Sequence, residues 1–163
     1  MTDMTHISET ADEVTDASEE SGATAKVTFA SRAWVDLARA VLEQLVAEHG
    51  EPGVSFSACE IFTDAPPGMA GAGMAVEDDT TAAWHFRIDG KTVTVGAGAI
   101  DGAVMNVRAD YTATLPLARL VYTPEVLAER ERNPKQPEGD ASGRSQAPPY
   151  LVELHNRLAE RTL

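Results

Sequence analysis

Apolar residues recur at helical spacing in the first strongly patterned stretch of the chain. Ser31, a residue type that caps helices, precedes this stretch, and Gly50 follows it. The pattern therefore predicts an amphipathic helix between them. Its apolar positions are Trp34, Leu37, Ala38, Val41, Leu42, Leu45 and Val46.

Strict alternation of apolar and polar residues follows and is typical of strands that bury one face. The first alternating stretch runs from Val54 to about Asp64. The second predicts a β-hairpin with a two-residue turn at Asp89-Gly90. A further strand is predicted to extend an antiparallel meander. The apolar positions of the hairpin are Trp84, Phe86, Ile88, Val93 and Val95, and those of the further strand are Met105, Val107 and Ala109.

The second half of the chain predicts three shorter helices. Asp110 is a suitable cap for the first, whose start we place late because Pro116 is tolerated only in a first turn. Thr123-Pro124-Glu125 opens the second, which runs to Arg132. Residues 133–149 are rich in Pro, Gly, Ser and charge and predict a loop or linker. A final helix carries Tyr150, Leu151, Leu154 and Leu158 on one side, with Val152 as a further candidate.

Composition limits the function classes. The chain has 163 residues, 43% of them hydrophobic, which suits one domain over residues 26–163. Residues 1–25 hold seven acidic residues and no Lys or Arg, which predicts a disordered acidic tail. The formal charge of −13 disfavours nucleic acid as a partner. The sequence shows no signal peptide and no apolar run long enough to span a bilayer, so we expect a cytoplasmic protein without an integral membrane segment.

The order of these elements resembles the type-two sterol carrier family over about residues 27–121. The resemblance is carried by the hairpin Trp84-His85-Phe86-Arg87-Ile88-Asp89-Gly90-Lys91-Thr92-Val93-Thr94-Val95-Gly96. It continues in the strand Ala103-Val104-Met105-Asn106-Val107-Arg108-Ala109 and the helix opening Asp110-Tyr111-Thr112. It implies an α+β fold, a twisted and mainly antiparallel sheet with helices on one face, enclosing an apolar cavity for sterols, acyl chains or similar lipids.

The resemblance also implies where that cavity lies, between the first helix and the inner face of the sheet. The segment 122–163 diverges from the family pattern, because residues 133–149 stand where the family has its last glycine-bounded strand. The cavity wall that this strand provides is therefore expected to be missing or replaced. The implied lining residues are Trp34, Leu37, Val41, Leu45, Trp84, Phe86, Val93, Val95, Met105 and Val107.

Polar residues give no independent sign of catalysis. Cys59 lies within a predicted strand, where a buried structural thiol is the ordinary interpretation, and His85 is expected to face solvent. The four histidines are scattered without the short spacings of a metal site, so we predict no metal and no cofactor. Residues 68–75 have neither a helical nor a strand period and predict a glycine-containing surface loop. Their glycines precede a hairpin rather than a helix, which argues against a dinucleotide fingerprint.

Three functional hypotheses remain open from the sequence. The first is non-catalytic binding or carriage of a hydrophobic small molecule. The second is an accessory subunit of an enzyme complex, with a filled cavity and a protein partner bound through residues 122–163. The third is an enzyme acting on a lipid-like or cyclic substrate in the same cavity, because one fold can host unrelated functions.

Overall fold

The computed structural model describes residues 25–72, 79–132, 139–143 and 146–163. The predicted tail, apart from Ala25, and residues 73–75 of the predicted glycine loop lie outside this part of the chain. The helices are α1 (Arg32–His49), α2 (Tyr111–Ala118), α3 (Pro124–Arg132) and α4 (Leu151–Glu160). The strands are β1 (Ser55–Thr63), β2 (Ala82–Asp89), β3 (Thr92–Ala97), β4 (Met105–Asp110) and β5 (Gly139–Ser142).

Helix α1 confirms the first periodic pattern. The Ser31 side chain accepts a hydrogen bond from the backbone N–H of Trp34 at 3.1 Å, which satisfies a donor that the first turn leaves unpaired. At the other end, a Cβ on Gly50 would stand 2.3 Å from the carbonyl oxygen of Gly90. Only glycine therefore allows the helix end to approach the hairpin this closely.

The hairpin of β2 and β3 is confirmed, with its turn one residue later than predicted. Asp89 pairs with Thr92, so Gly90 and Lys91 are the two central residues of the turn. Gly90 has a φ of 62° and Lys91 an ordinary negative φ, as expected for a II′ turn with glycine first. The predicted register is also right, because Trp84 is only 3% exposed and shares a buried face with Phe86 and Ile88.

The five strands form one sheet in the order β3-β2-β1-β4-β5. Three of its four pairings are antiparallel, which confirms the predicted α+β fold with a mainly antiparallel sheet. The predicted meander is wrong at β4, which lies parallel to β1 instead of next to β3. Alternation shows which face of a strand is buried, but it carries no information about the neighbouring strand.

Residues 98–104 carry the chain from β3 to β4 across the outer face of the sheet. His85 Nδ1 lies 2.8 Å from the Gly98 carbonyl oxygen, and the Val104 N–H donates to the Ser57 hydroxyl at 3.0 Å. His85 is therefore half-buried and bonded to this crossing segment. The helices lie on the opposite, inner face, as predicted.

Helix α2 begins earlier than predicted. It starts directly after Asp110, whose side chain accepts from the Ala113 N–H at 2.8 Å, and Pro116 lies within the helix instead of in its first turn. Because the helix has only eight residues, the hydrogen bond that proline cannot make is lost near its end. Helix α3 begins at Pro124 as predicted, with the Thr123 hydroxyl accepting from the Val126 N–H at 3.2 Å.

The interpretation of residues 133–149 as loop throughout is wrong at one point, because β5 lies within them. This strand pairs antiparallel with β4, from Gly139 opposite Ala109 to Ser142 opposite Asn106. Its sequence, Gly-Asp-Ala-Ser, has no apolar alternation that could have predicted a strand. A short edge strand can form without such a pattern, because backbone hydrogen bonds hold it to its neighbour. The divergent segment thus still adds a last strand to the sheet. No helix in the described ranges is both long and apolar enough to cross a bilayer.

Candidate apolar pocket

A pocket of about 440 Å³ lies on the inner face of β1, β2 and β4. Its volume falls within the range of about 300 to 1,000 Å³ that is usual for small-molecule sites. The C-terminal half of the chain covers it with α2, Arg130 of α3, most of α4, and the coil at Tyr122 and residues 147–149. The described lining residues are Phe29, Trp34, Glu60, Phe62, Trp84, Phe86, Met105, Val107, Ala109, Thr114, Leu117, Ala118, Tyr122, Arg130, Ala147, Pro148, Pro149, Leu151, Val152, Leu154, His155 and Leu158.

Aromatic rings form one wall of the pocket. Trp34 and Trp84 meet edge to face, with ring centroids 5.2 Å apart, and Phe86 lies 5.3 Å from Trp84. Phe29 contacts Phe62 at 4.8 Å, and the hydroxyl of Tyr111 donates to the Phe29 carbonyl oxygen at 2.8 Å. These contacts hold the rings in fixed orientations, so this wall is a preformed apolar surface.

A single carboxylate interrupts this surface among the described lining residues. Glu60 lies on the central strand β1, opposite Trp84 on one side and Val107 on the other. It is partly buried, and its Oε1 accepts a hydrogen bond of 2.7 Å from the indole Nε1 of Trp84. Glu60 therefore points to the same side of the sheet as the aromatic residues.

A polar cluster of Tyr122, Arg130 and His155 forms another part of the lining. The rings of Tyr122 and His155 are stacked, with centroids 3.9 Å apart and an angle of 7° between their planes. Arg130 donates to the Tyr122 hydroxyl at 3.1 Å, and its guanidinium carbon lies 5.0 Å from the centre of that ring. The Asn156 side chain exchanges two hydrogen bonds with the Tyr122 backbone, at 2.7 and 3.2 Å, which fixes the cluster on α4.

His155 is held in its neutral form near neutral pH. Burial lowers the pKa of His155 below its ordinary value of 6.5. A hydrogen bond to the Leu120 carbonyl oxygen opposes this change, and the positive charge of Arg130 adds to it. Nε2 lies 2.7 Å from that oxygen and donates to it, which assigns the proton of the neutral ring to Nε2.

The ten residues predicted for the cavity divide into two groups of five. Trp34, Trp84, Phe86, Met105 and Val107 line the pocket. The other five lie outside it, in the layer where α1 packs against the sheet near β3. They are Leu37, Val41, Leu45, Val93 and Val95.

Sequence reasoning missed the polar lining residues. A signal for Glu60 was present, because it falls at the same alternate positions as Phe56, Ala58 and Phe62 and so had to share their face. No comparable signal existed for Tyr122, Arg130 or His155. They lie on three separate segments that only the path of the C-terminal chain brings together.

Cys59 lies on the other face of β1, away from the pocket. Its thiol is buried, and burial raises the pKa of Cys59 above 9.0, despite a hydrogen bond with the Ile100 backbone that lowers it. A thiol that stays protonated is a poor nucleophile. Within the described ranges no three His, Cys, Asp or Glu side chains come together as a metal site would require.

Comparison with known proteins identified no similar protein. No protein-family model, curated protein or solved structure matches this chain.

Proposed function

We propose that this protein binds a hydrophobic small molecule, such as a sterol or an acyl chain, without transforming it. The observation that carries the proposal is the pocket of about 440 Å³ against a preformed aromatic wall. Burial of apolar surface stabilises a complex by about 25 cal/mol per Å². Most of this free energy would come from the ligand's own apolar surface, because Trp34, Trp84 and Phe86 are already buried and ordered in the free protein.

The resemblance to the sterol carrier family supports the same proposal. That family implies a glycine-bounded strand before the final helix, and β5 begins at Gly139, ends before Gly143 and precedes α4. Gly143 has a φ of 79°, and a Cβ there would stand 2.0 Å from the Val104 carbonyl oxygen. Only glycine therefore allows the chain to leave β5 so close to β4.

The direct test is a titration of the protein with a sterol or a long-chain acyl compound. Because both tryptophans line the pocket, their emission is expected to change and to saturate. Val107→Phe adds volume at a lining position and should weaken binding more than it lowers the free energy of unfolding. Val54→Phe is the matched control, since Val54 is 47% exposed and lies outside the pocket.

Two results would contradict the proposal. One is a titration in which no sterol or acyl compound alters the emission of the folded protein. The other is equal binding by the wild-type protein and the folded Val107→Phe variant, which would locate the ligand elsewhere.

An accessory subunit is a second candidate, and one observation favours it. Helix α3 has no buried side chain, and its Leu127 is exposed. A partner protein could therefore contact α3 without unfolding any of the domain. The same cannot be said of α4, because Leu154 and Leu158 are already buried inside the molecule.

A further inference from the structure

The pocket lining changes character between the sheet and the segments that cover it. On the strands it is aromatic and aliphatic apart from Glu60, whereas the cover contributes the polar cluster of Tyr122, Arg130 and His155. Arg130 is the only cationic side chain among the described lining residues, because burial keeps His155 neutral near neutral pH. A molecule that fills the pocket would therefore meet both an apolar surface and a positive charge.

The guanidinium of Arg130 has hydrogen-bond donors that the described residues do not use. It carries five N–H groups, and within the described ranges its hydrogen bond goes to the Tyr122 hydroxyl at 3.1 Å. The ion pairs between described residues do not include Arg130. The guanidinium also lies over the Tyr122 ring, 5.0 Å from its centre, which holds the group in place. Its charge is thus fixed at the pocket, and no carboxylate of the described residues neutralises it.

Tyr122 supplies a second donor beside Arg130. Its hydroxyl oxygen accepts the bond from Arg130, and no acceptor for its own proton is found among the described residues. The stacked ring of His155 holds the phenol in position, while the N–H of that ring is already donated to the Leu120 carbonyl oxygen. Two donors, one of them charged, thus lie 3.1 Å apart. A carboxylate has two oxygens and can accept from both.

Other head groups suit this pair of donors less well. An ammonium would face the positive charge of Arg130, and a hydroxyl would gain no ion-pair attraction. Both Arg130 and Tyr122 are half-buried, so a carboxylate beside them keeps part of its hydration and its desolvation costs less than in a closed core.

Glu60, the acidic lining residue on the sheet, sets the orientation of such a ligand. It already has partners within the protein, the Trp84 indole among them, so it does not depend on the ligand for a donor. Its negative charge disfavours a second carboxylate near the centre of the sheet. The hydrocarbon part of the ligand is therefore expected against the aromatic wall, and the carboxylate at Arg130.

We propose that the ligand is an amphiphile with a carboxylate head group, which accepts hydrogen bonds from Arg130 and the Tyr122 hydroxyl. This inference rests on the proposed binding function and specifies the class of ligand. It places acids with an apolar chain or ring system ahead of alcohols and amines of the same size.

The test compares head groups on one hydrocarbon chain. Decanoate, decanol and decylamine are titrated into the full chain at neutral pH by isothermal titration calorimetry. Decanoate is expected to be the tightest ligand of the three. Arg130→Gln should weaken decanoate binding about tenfold, as the loss of one charge-assisted hydrogen bond would produce, and should change decanol binding by less than about twofold. Comparing each ligand with itself cancels the difference in hydration between an acid and an alcohol.

Arg132→Gln is the matched control, because it removes the same charge from an exposed position on the same helix. It should leave the binding of all three compounds unchanged. Tyr122→Phe keeps the ring but removes the second donor, and should weaken decanoate alone, by about threefold. Because α3 has no buried side chain, Arg130→Gln is expected to fold, as circular dichroism would show. If it does not fold, Tyr122→Phe and the ranking on the wild-type protein decide the question.

The outcomes separate this inference from the proposed function. If decanol or decylamine binds tightest, or if Arg130→Gln weakens decanoate no more than decanol, Arg130 is not the anchor and the binding function stands. An equal loss of decanoate affinity in Arg132→Gln would also overturn the inference, because it would show a general effect of surface charge. Binding of none of the three compounds, nor of a sterol, would overturn the proposed function and this inference together.

Discussion

The inner face of the sheet has two halves that are closed in different ways. Over β3, the 18-residue helix α1 packs closely, and Leu42, Leu45 and Val46 are fully buried, which makes this the closed half. Over β1, β2 and β4, the eight-residue helix α2, coil segments and most of α4 leave a pocket of about 440 Å³, which makes this the open half. One sheet thus supports both a solid core and an open site, and the covering elements determine which of them forms.

The largest expected effect is a difference in the free energy of unfolding between two Leu→Ala variants, one in each half. Leu45→Ala removes a side chain with 0% exposure and should lower the free energy of unfolding by about 2 to 5 kcal/mol. Leu117→Ala, at a half-buried lining position, should cost about 1 kcal/mol or less, because it enlarges space that already exists. Chemical denaturation of both variants measures the difference, and equal losses would show that the pocket half is as tightly packed as the core.

A second substitution tests the hairpin that supports the closed half. Gly90→Val places a branched side chain at a φ of 62°, which should cost about 1 to 3 kcal/mol. The nearest atom to the added Cβ is 3.6 Å away, so the cost comes from the backbone conformation alone. Lys91→Val, one residue later at an ordinary φ, should change the free energy of unfolding by about 0.5 kcal/mol or less. If the two variants were equally stable, the turn would not have the form described.

The smallest expected effect concerns pH and the polar cluster. Because the folded-state pKa of His155 is lowered, the unfolded chain takes up this proton first as the pH falls. The contribution of neutral His155 to the free energy of unfolding is therefore fully present above about pH 6.5, and it is lost as the pH falls below that value. His155→Gln should therefore lose less stability than the wild-type protein between pH 7 and 5, after each is referred to its own value at pH 8. Parallel curves of melting temperature against pH would show that His155 is as accessible to protons in the folded chain as in the unfolded one.

The sequence predicted most of the closed half because its signals are local. The spacing of Ala38, Leu42 and Leu45 and the alternation through Val93 and Val95 each reflect one element and the face it buries. The open half depends on long-range pairing, and neither the parallel pairing of β4 with β1 nor the strand Gly139–Ser142 has a periodic signal. The pocket could be assigned to the sheet but not to its correct half, and half of its predicted lining residues lie elsewhere.

The inward direction of Glu60 was predictable from the sequence. A charged residue in phase with buried aromatic residues either weakens the strand or serves a purpose on its inner face. The alternation through Phe56, Ala58 and Phe62 already required Glu60 to point inward. Its bond to Trp84, by contrast, follows from the register between β1 and β2, which the sequence leaves open.

The contact between the two ends of the described chain has a mechanical consequence. Val27 donates to the Arg161 carbonyl oxygen and accepts from the Leu163 N–H, both at 2.8 Å, and the Arg161 guanidinium holds the Ala25 carbonyl oxygen. A force that pulled the two ends apart would load these bonds before any other part of the domain. The Thr162 hydroxyl accepts a hydrogen bond from the Trp34 indole at 3.2 Å. Separating the two ends would therefore also break this bond to Trp34, the residue of α1 that lines the pocket.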